Sequence, residues 1–97
     1  MSKLSEENEA ALDLIRTERM RQDKKWGEQN HPDLYWLAIL MEEVGELSNA
    51  IIEKPQVFMD PENHERDKEL TQVAAVAVAW MEAIKRRPRR EGDEWRP

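Results

Sequence analysis

Three glutamates in one short stretch, Glu42, Glu43 and Glu46, have the residue type and spacing needed to bind a divalent cation. On an α-helix, residues three and four apart share a face and adjacent ones differ by about 100°, so these carboxylates converge within one arc. Their hard oxygen atoms are the ligands that Mg²⁺ prefers. For this helix considered by itself, however, the favoured interpretation is a charged face turned to water.

A fourth glutamate, Glu69, begins an apolar block and shares a helical face with Val76 and Trp80, which should be buried. An isolated ionised carboxylate is too costly in an apolar interior, so Glu69 must be paired, protonated or bound to a metal. One interpretation is an ion pair with a basic residue of the first helix, namely Arg19, Lys24 or Lys25. The other is that the two helices pack antiparallel, about 8–10 Å apart, and that the four glutamates surround one metal and polyphosphate site.

Three helices are predicted from the hydrophobic periodicity, over about Ser5–Lys25, Asp33–Glu53 and Asp60–Arg87. A capping acid and a proline mark the start of the third helix. The first two are joined by the turn-forming stretch Trp26–Pro32, which we expect to be an ordered loop with Pro32 at the first position of the second helix. No strand-like alternation is present, so the fold is predicted to be all-α.

The third helix is apolar almost all round over Leu70–Ile84, so we expect it to lie centrally or at a subunit interface. Residues 1–87 are predicted to form one helical bundle, and residues 88–97 a flexible tail or a short appended helix. A chain of 97 residues buries a modest fraction of its surface, so its core should be marginal without partner subunits.

The composition excludes several classes of protein. A formal net charge of −6 argues against neutralising a nucleic-acid backbone. The basic run Lys85–Arg90 is short and followed by acids, which favours a solvated helix end. The absence of cysteine excludes disulfides and thiolate chemistry. Because no apolar run approaches the roughly 20 residues of a membrane span and the start lacks a signal pattern, we expect a cytoplasmic protein with neither nucleic-acid nor membrane partners.

Two spaced motifs carry a family resemblance. The Glu-x-x-Glu of Glu43–Glu46, followed after 22 residues by Glu69–Gln72, resembles the paired Glu-x-x-Glu and Glu-x-x-Asp motifs of the MazG-like all-α nucleotide pyrophosphohydrolases. The stretch Arg21–Pro32 looks like the loop that precedes the first motif in small members, and the likeness covers about Glu18–Ile84. The final Asp of the pattern is replaced by Gln72, whose amide oxygen can coordinate a metal or hold a water but brings no charge.

The resemblance implies a dimer or dimer of dimers that hydrolyses nucleoside triphosphates between the α- and β-phosphates, giving monophosphate and pyrophosphate. It implies Mg²⁺ as the cofactor, with Mn²⁺ as a substitute, and the metal ligands Glu43, Glu46, Glu69 and Gln72. Glu42, Glu43 and Glu46 are the catalytic candidates, with Glu42 as the base or an auxiliary ligand. The competing interpretation, favoured by Gln72, is a non-enzymatic module for helical oligomerisation or nucleotide binding.

Four residues are candidates for substrate binding. Trp26 can stack on a nucleobase or simply anchor the loop. Lys25 can reach a phosphate or complement the helix dipole. His31 can donate to the substrate, although a loop histidine is more often a local hydrogen-bonding residue, and Tyr35 falls on the same side of the second helix as the glutamates.

Overall fold

A computed structural model describes residues 5–53 and 64–88, and within them every regular element is an α-helix. The helices are α1, Glu6–Trp26; α2, Asp33–Glu53; and α3, His64–Arg86. The all-α prediction is confirmed, and the bounds of the first two helices agree with the sequence to within one residue. The predicted start of the third helix at Asp60 and the predicted tail from residue 89 onward lie outside the described residues.

The ends of α1 follow from ordinary capping chemistry. The Ser5 side chain accepts a hydrogen bond from the Asn8 backbone N–H at 3.0 Å, which satisfies one free donor of the first turn. At the other end Gly27 has φ 74°, a conformation that glycine adopts without steric cost, and its N–H donates to the carbonyl of Asp23 at 2.8 Å. This glycine ends α1 and turns the chain into the loop.

Helix α2 begins at Asp33, as the hydrophobic periodicity predicts, and Pro32 precedes its first helical position. The carbonyl of Pro32 accepts from the backbone N–H of Trp36 at 3.1 Å, so Pro32 occupies the cap and Asp33 the first helical position. The prediction for Pro32 was therefore wrong by one residue. An acid at this position complements the positive end of the helix dipole.

Helix α3 packs against both other helices, whereas α1 and α2 do not pack on each other within the described part of the chain. The core consists of Trp36 from α2 against Val76, Ala79 and Ala83 from α3, with Ile39, Leu40 and Trp80 packed around them. The amino-terminal turns of α2 thus meet the carboxy-terminal turns of α3, and the two helices run antiparallel. The expectation of a central third helix is confirmed, and Val76 is buried as predicted, whereas Trp80 is only half-buried.

Arg19 joins α1 to α3. Its guanidinium donates to Glu82 through Nη2 at 2.6 Å and through Nε at 3.2 Å, and it also bonds Asp23 and Gln22 on its own helix. The Arg19 side chain is only 11% exposed. A planar group with five donors can hold these three acceptors at once, which fixes the rotation of α1 on α3.

Hydrophobic periodicity predicts one apolar stripe along α2, made of Leu37, Leu40, Val44, Leu47 and Ile51. This stripe does not face the core as one unit. Leu40 packs on the core cluster, while Leu37 and Ile51 stay exposed. The exposed apolar side chains on α2 and α3 are Leu34, Leu37, Met41, Ile51, Ile52, Leu70, Met81 and Ile84. We call these residues the outer apolar face. None of the three helices, over the residues described, has the continuous apolar length that a bilayer crossing requires.

Candidate metal centre

Glu43 and Glu46 of α2 meet Glu69 of α3 in one cluster, in which one carboxylate oxygen from each lies within 4.8 Å of the other two. Glu43 and Glu69 are half-buried and Glu46 is exposed. The antiparallel packing of α2 on α3 produces this meeting, because it brings the middle of α2 beside the first turns of α3. The helix faces inferred from sequence spacing are therefore the faces that converge. We call these three residues the glutamate cluster.

Glu69 carries the least compensated oxygen of the cluster. Its Oε2 is buried and finds no hydrogen-bond donor among the described residues. The predicted alternative of an ion pair with Arg19 is wrong, because Arg19 is engaged by Glu82 and Asp23. Lys24 and Lys25 also form no salt bridge with Glu69. A buried carboxylate oxygen without a donor is costly, and a cation in the cluster would offset that cost.

The electrostatics of Glu43 show how crowded the negative charge is. Burial raises the pKa of the Glu43 carboxyl above its ordinary value, and the charges of Glu46, Glu69, Glu42 and Glu18 raise it further. The ionised cluster is therefore self-repelling in the absence of a counter-ion.

The donor set fits a hard divalent cation. Oxygen ligands of a single Mg²⁺ ion lie at most about 4.2 Å from one another, because each bond is about 2.1 Å long. A spread of 4.8 Å is close enough for small side-chain rotations to bring the cluster onto one ion. The absence of nitrogen and sulfur ligands from the cluster disfavours zinc.

The other two candidates on these helices are Glu42 and Gln72. Glu42 is exposed on α2, and its charge acts on Glu43. Gln72 lines a groove of about 650 Å³ between α1 and α3, which Glu18 also lines. Whether the Gln72 amide coordinates a metal stays a prediction.

Glu18 is a half-buried acid for which the sequence predicted no role. Its carboxylate is 11% exposed and accepts two hydrogen bonds from Arg21, at 2.7 and 2.9 Å, and one from Gln22 at 3.1 Å. Hydrogen bonding from Arg21 lowers the pKa of Glu18, and Gln72 and Gln22 add to the effect. The available signal was an acid within the apolar spacing of the first helix, the same signal that singled out Glu69 on the third.

The four substrate candidates lie at the loop end of the bundle. The Trp26 ring is 52% exposed, and the Nζ atom of Lys25 lies 4.8 Å from its centroid. The His31 ring lies 4.3 Å from the Tyr35 ring and 5.0 Å from the Trp36 ring. Tyr35 is exposed and precedes Glu42 by two helical turns, or about 10.5 Å.

The fold and the cluster together define a class: an all-α protein with three glutamates gathered between two antiparallel helices. Comparisons of the chain with protein-family models, with curated proteins and with solved structures found no match.

Proposed function

We propose that this protein is a Mg²⁺-dependent nucleoside triphosphate pyrophosphohydrolase whose reaction takes place at the glutamate cluster. The observation that carries the proposal is the approach of three carboxylate oxygens from two helices to within 4.8 Å, including a residue with a buried oxygen that lacks a donor. Such an arrangement is unfavourable in the apo protein and becomes favourable when a cation is bound.

Each residue of the site has a distinct role in this proposal. Glu43, Glu46 and Glu69 would hold the metal, and the Gln72 amide oxygen would complete the set. A bound Mg²⁺ would supply positive charge for the triphosphate, polarise its phosphoryl oxygens and lower the pKa of the attacking water. Glu42 is exposed beside the cluster and accepts the proton of the attacking water.

The loop end of the bundle receives the rest of the nucleotide. Half of the Trp26 surface and the exposed Tyr35 ring offer flat apolar faces for the base, with the His31 ring 4.3 Å from the Tyr35 ring and tilted by 39° against it. Lys25 lies over Trp26, so one cation is near enough to serve both the aromatic ring and a phosphate.

The experiment is a panel of ribo- and deoxyribonucleoside triphosphates with and without Mg²⁺, read by product identity. We expect pyrophosphate and the monophosphate, with Mn²⁺ able to replace Mg²⁺. Glu46→Gln removes one ligand charge without changing shape and should lower kcat/KM by at least about 100-fold. Glu53→Gln on the same helix is the control and should leave the rate unchanged, because Glu53 lies outside the cluster.

The competing proposal is a non-enzymatic module that binds nucleotide or associates with itself. It is favoured by Gln72, which adds no charge to the cluster, and by the outer apolar face. No product from any triphosphate, despite Mg²⁺ binding that depends on Glu46, would select this alternative. Orthophosphate in place of pyrophosphate would change the reaction class.

We also propose that the protein acts as a homo-oligomer, a dimer or a dimer of dimers. The support is the outer apolar face, in which Leu34, Leu37 and Met41 of α2 follow one another by three and four residues, the spacing by which one helix packs against another. A second copy of the chain would bury it.

A further inference from the structure

The basic end of α3 binds the loop that joins α1 to α2. Arg86 Nε lies 2.8 Å from Glu28 Oε1 and donates to Asn30 Oδ1 at 3.0 Å, while its Nη2 donates to the carbonyl of Gln29 at 3.0 Å. This arrangement replaces the solvated helix end that the sequence favoured for Arg86. The cause is tertiary, since the loop lies 56 residues or more away along the chain.

Arg87 continues the same set of contacts. Its Nη2 donates to the carbonyl of His31 at 3.3 Å and to Asp33 Oδ1 at 2.7 Å, and Trp80 Nε1 donates to the same oxygen at 2.9 Å. Arg86 and Arg87, at the carboxy-terminal end of α3, thus bind two backbone carbonyls of the loop and the side chain of the first residue of α2. Arginine suits this task because its planar fork binds several acceptors in fixed directions.

The α1–α2 loop, which Arg86 and Arg87 bind, connects the proposed substrate-binding residues. Trp26 precedes it, and its last residues carry His31, whose ring contacts Tyr35 at the start of α2. Arg87 thus binds the backbone carbonyl of the residue whose ring contacts Tyr35. A loop fixed before substrate arrives does not have to be ordered by the substrate, which improves binding without touching the reacting bond.

We propose that Arg86 and Arg87 are positioning residues that hold the α1–α2 loop in its substrate-binding conformation. The inference rests on the proposed function for the identity of the ligand, a nucleoside triphosphate. In this proposal the two arginines affect substrate binding, and the chemical step takes place at the glutamate cluster. The effect on global stability is small, because exposed and half-exposed ion pairs contribute little to folding.

The test compares the double variant Arg86→Ala/Arg87→Ala with wild type and with Lys85→Ala, an exposed neighbour that is a matched control. The probe is the triphosphate that wild type hydrolyses fastest, or ATP if none is hydrolysed. In the double variant we expect KM to rise on the order of tenfold with kcat within about twofold. Amide hydrogen exchange of residues 27–31 should accelerate, and the control should match wild type in both measurements. If the double variant is poorly folded, Arg87→Ala alone is measured in the same way.

The outcomes separate this inference from the proposed function. An active wild type whose double variant keeps its KM, or loses kcat instead, overturns the inference and leaves the hydrolase intact. A wild type that neither hydrolyses nor binds any triphosphate, with loop amides unprotected by ATP, overturns both. In the remaining case the wild type is inactive, ATP protects its loop amides from exchange, and this protection is lost in the double variant. That result supports the role of the two arginines and overturns only the proposed hydrolysis.

Discussion

Glu43 is a residue whose replacement should stabilise the apo protein. Its raised pKa means that the folded state holds its proton more tightly than the unfolded state, so stability falls as pH rises from the ordinary value of 4.5 through the raised one. Glu43→Gln removes the charge. In EDTA at pH 7 the variant should melt a few degrees above wild type, and this advantage should vanish below about pH 4.5. Thermal unfolding followed by circular dichroism across that pH range measures it.

The Glu43→Gln variant also tests whether the glutamate cluster binds a metal ion or is only a group of neighbouring acids. Mg²⁺ should raise the melting temperature of wild type and leave Glu43→Gln unchanged, since ligand binding stabilises only the state that binds it. An apo variant less stable than wild type at pH 7 would show that the cluster is not self-repelling.

Glu18 should behave in the opposite sense. Its pKa is lowered, chiefly by hydrogen bonding from Arg21, so the ionised form stabilises the fold above pH 4.5 and this stabilisation is lost as pH falls through the lowered value. Glu18→Gln should therefore melt a few degrees below wild type at pH 7, with the gap closing in acid. The two glutamates form a matched pair, and equal shifts of one sign in both variants would contradict the assigned environments.

The sequence predicted which glutamates meet in the cluster, but it did not predict the partner of every charged residue. The meeting of Glu43, Glu46 and Glu69 follows from helical periodicity plus one assumption, the antiparallel packing of two helices. The partner of Arg19 could not be found in this way, because Glu82 lies 63 residues away and the choice among several acids depends on the rotation of α1. Glu18, in contrast, could have been found from the sequence, because it is an acid within the apolar spacing of the first helix and its partners Arg21 and Gln22 are local.

At the scale of elements, Arg19 is the side chain on which the α1–α3 contact should depend most. Arg19→Lys keeps the charge but cannot hold Glu82, Asp23 and Gln22 together, so we expect a loss of about 1–3 kcal/mol in the free energy of unfolding, measured with urea. Arg16→Lys is the control, because its pair with Asp13 is exposed on both sides and should change stability by less than about 0.5 kcal/mol. Equal losses in both variants would show that Arg19 does not join the helices.

The helix boundaries were predictable, but the side of α2 that faces the core was not. Gly27 and Pro32 punctuate the chain by their backbone chemistry, which is local. The choice of Trp36, Ile39 and Leu40 over Leu37 and Ile51 as the packed side is set by where the small residues of α3 leave room. With apolar residues on more than one face of α2, periodicity alone does not decide between them.

At the scale of the whole molecule, large apolar side chains of α2 and α3 are exposed among the described residues, while the buried apolar core is small. The buried apolar residues among those described are Trp36, Ala75, Val76, Ala79 and Ala83, and three of the five are alanines. Monomeric proteins rarely leave a contiguous apolar patch larger than a few hundred Å² uncovered. At Gly45 a Cβ atom would meet nothing within 4 Å in the described part of the protomer, so no contact among these residues requires a helix-weakening glycine there.

Self-association through the outer apolar face can be tested by placing a charge in it. Wild type should sediment as a dimer or larger at tens of micromolar, whereas Met41→Glu should shift it towards monomer, because a charge buried at an apolar interface is strongly unfavourable. Met20→Glu introduces the same charge at a methionine of α1 that is also exposed but lies outside this face, so its association should equal that of wild type. A monomeric wild type, or equal disruption by both variants, would contradict the assignment. If Gly45 lies at the contact, Gly45→Ala should weaken association while raising the helical stability of the protomer by about 0.5–1 kcal/mol.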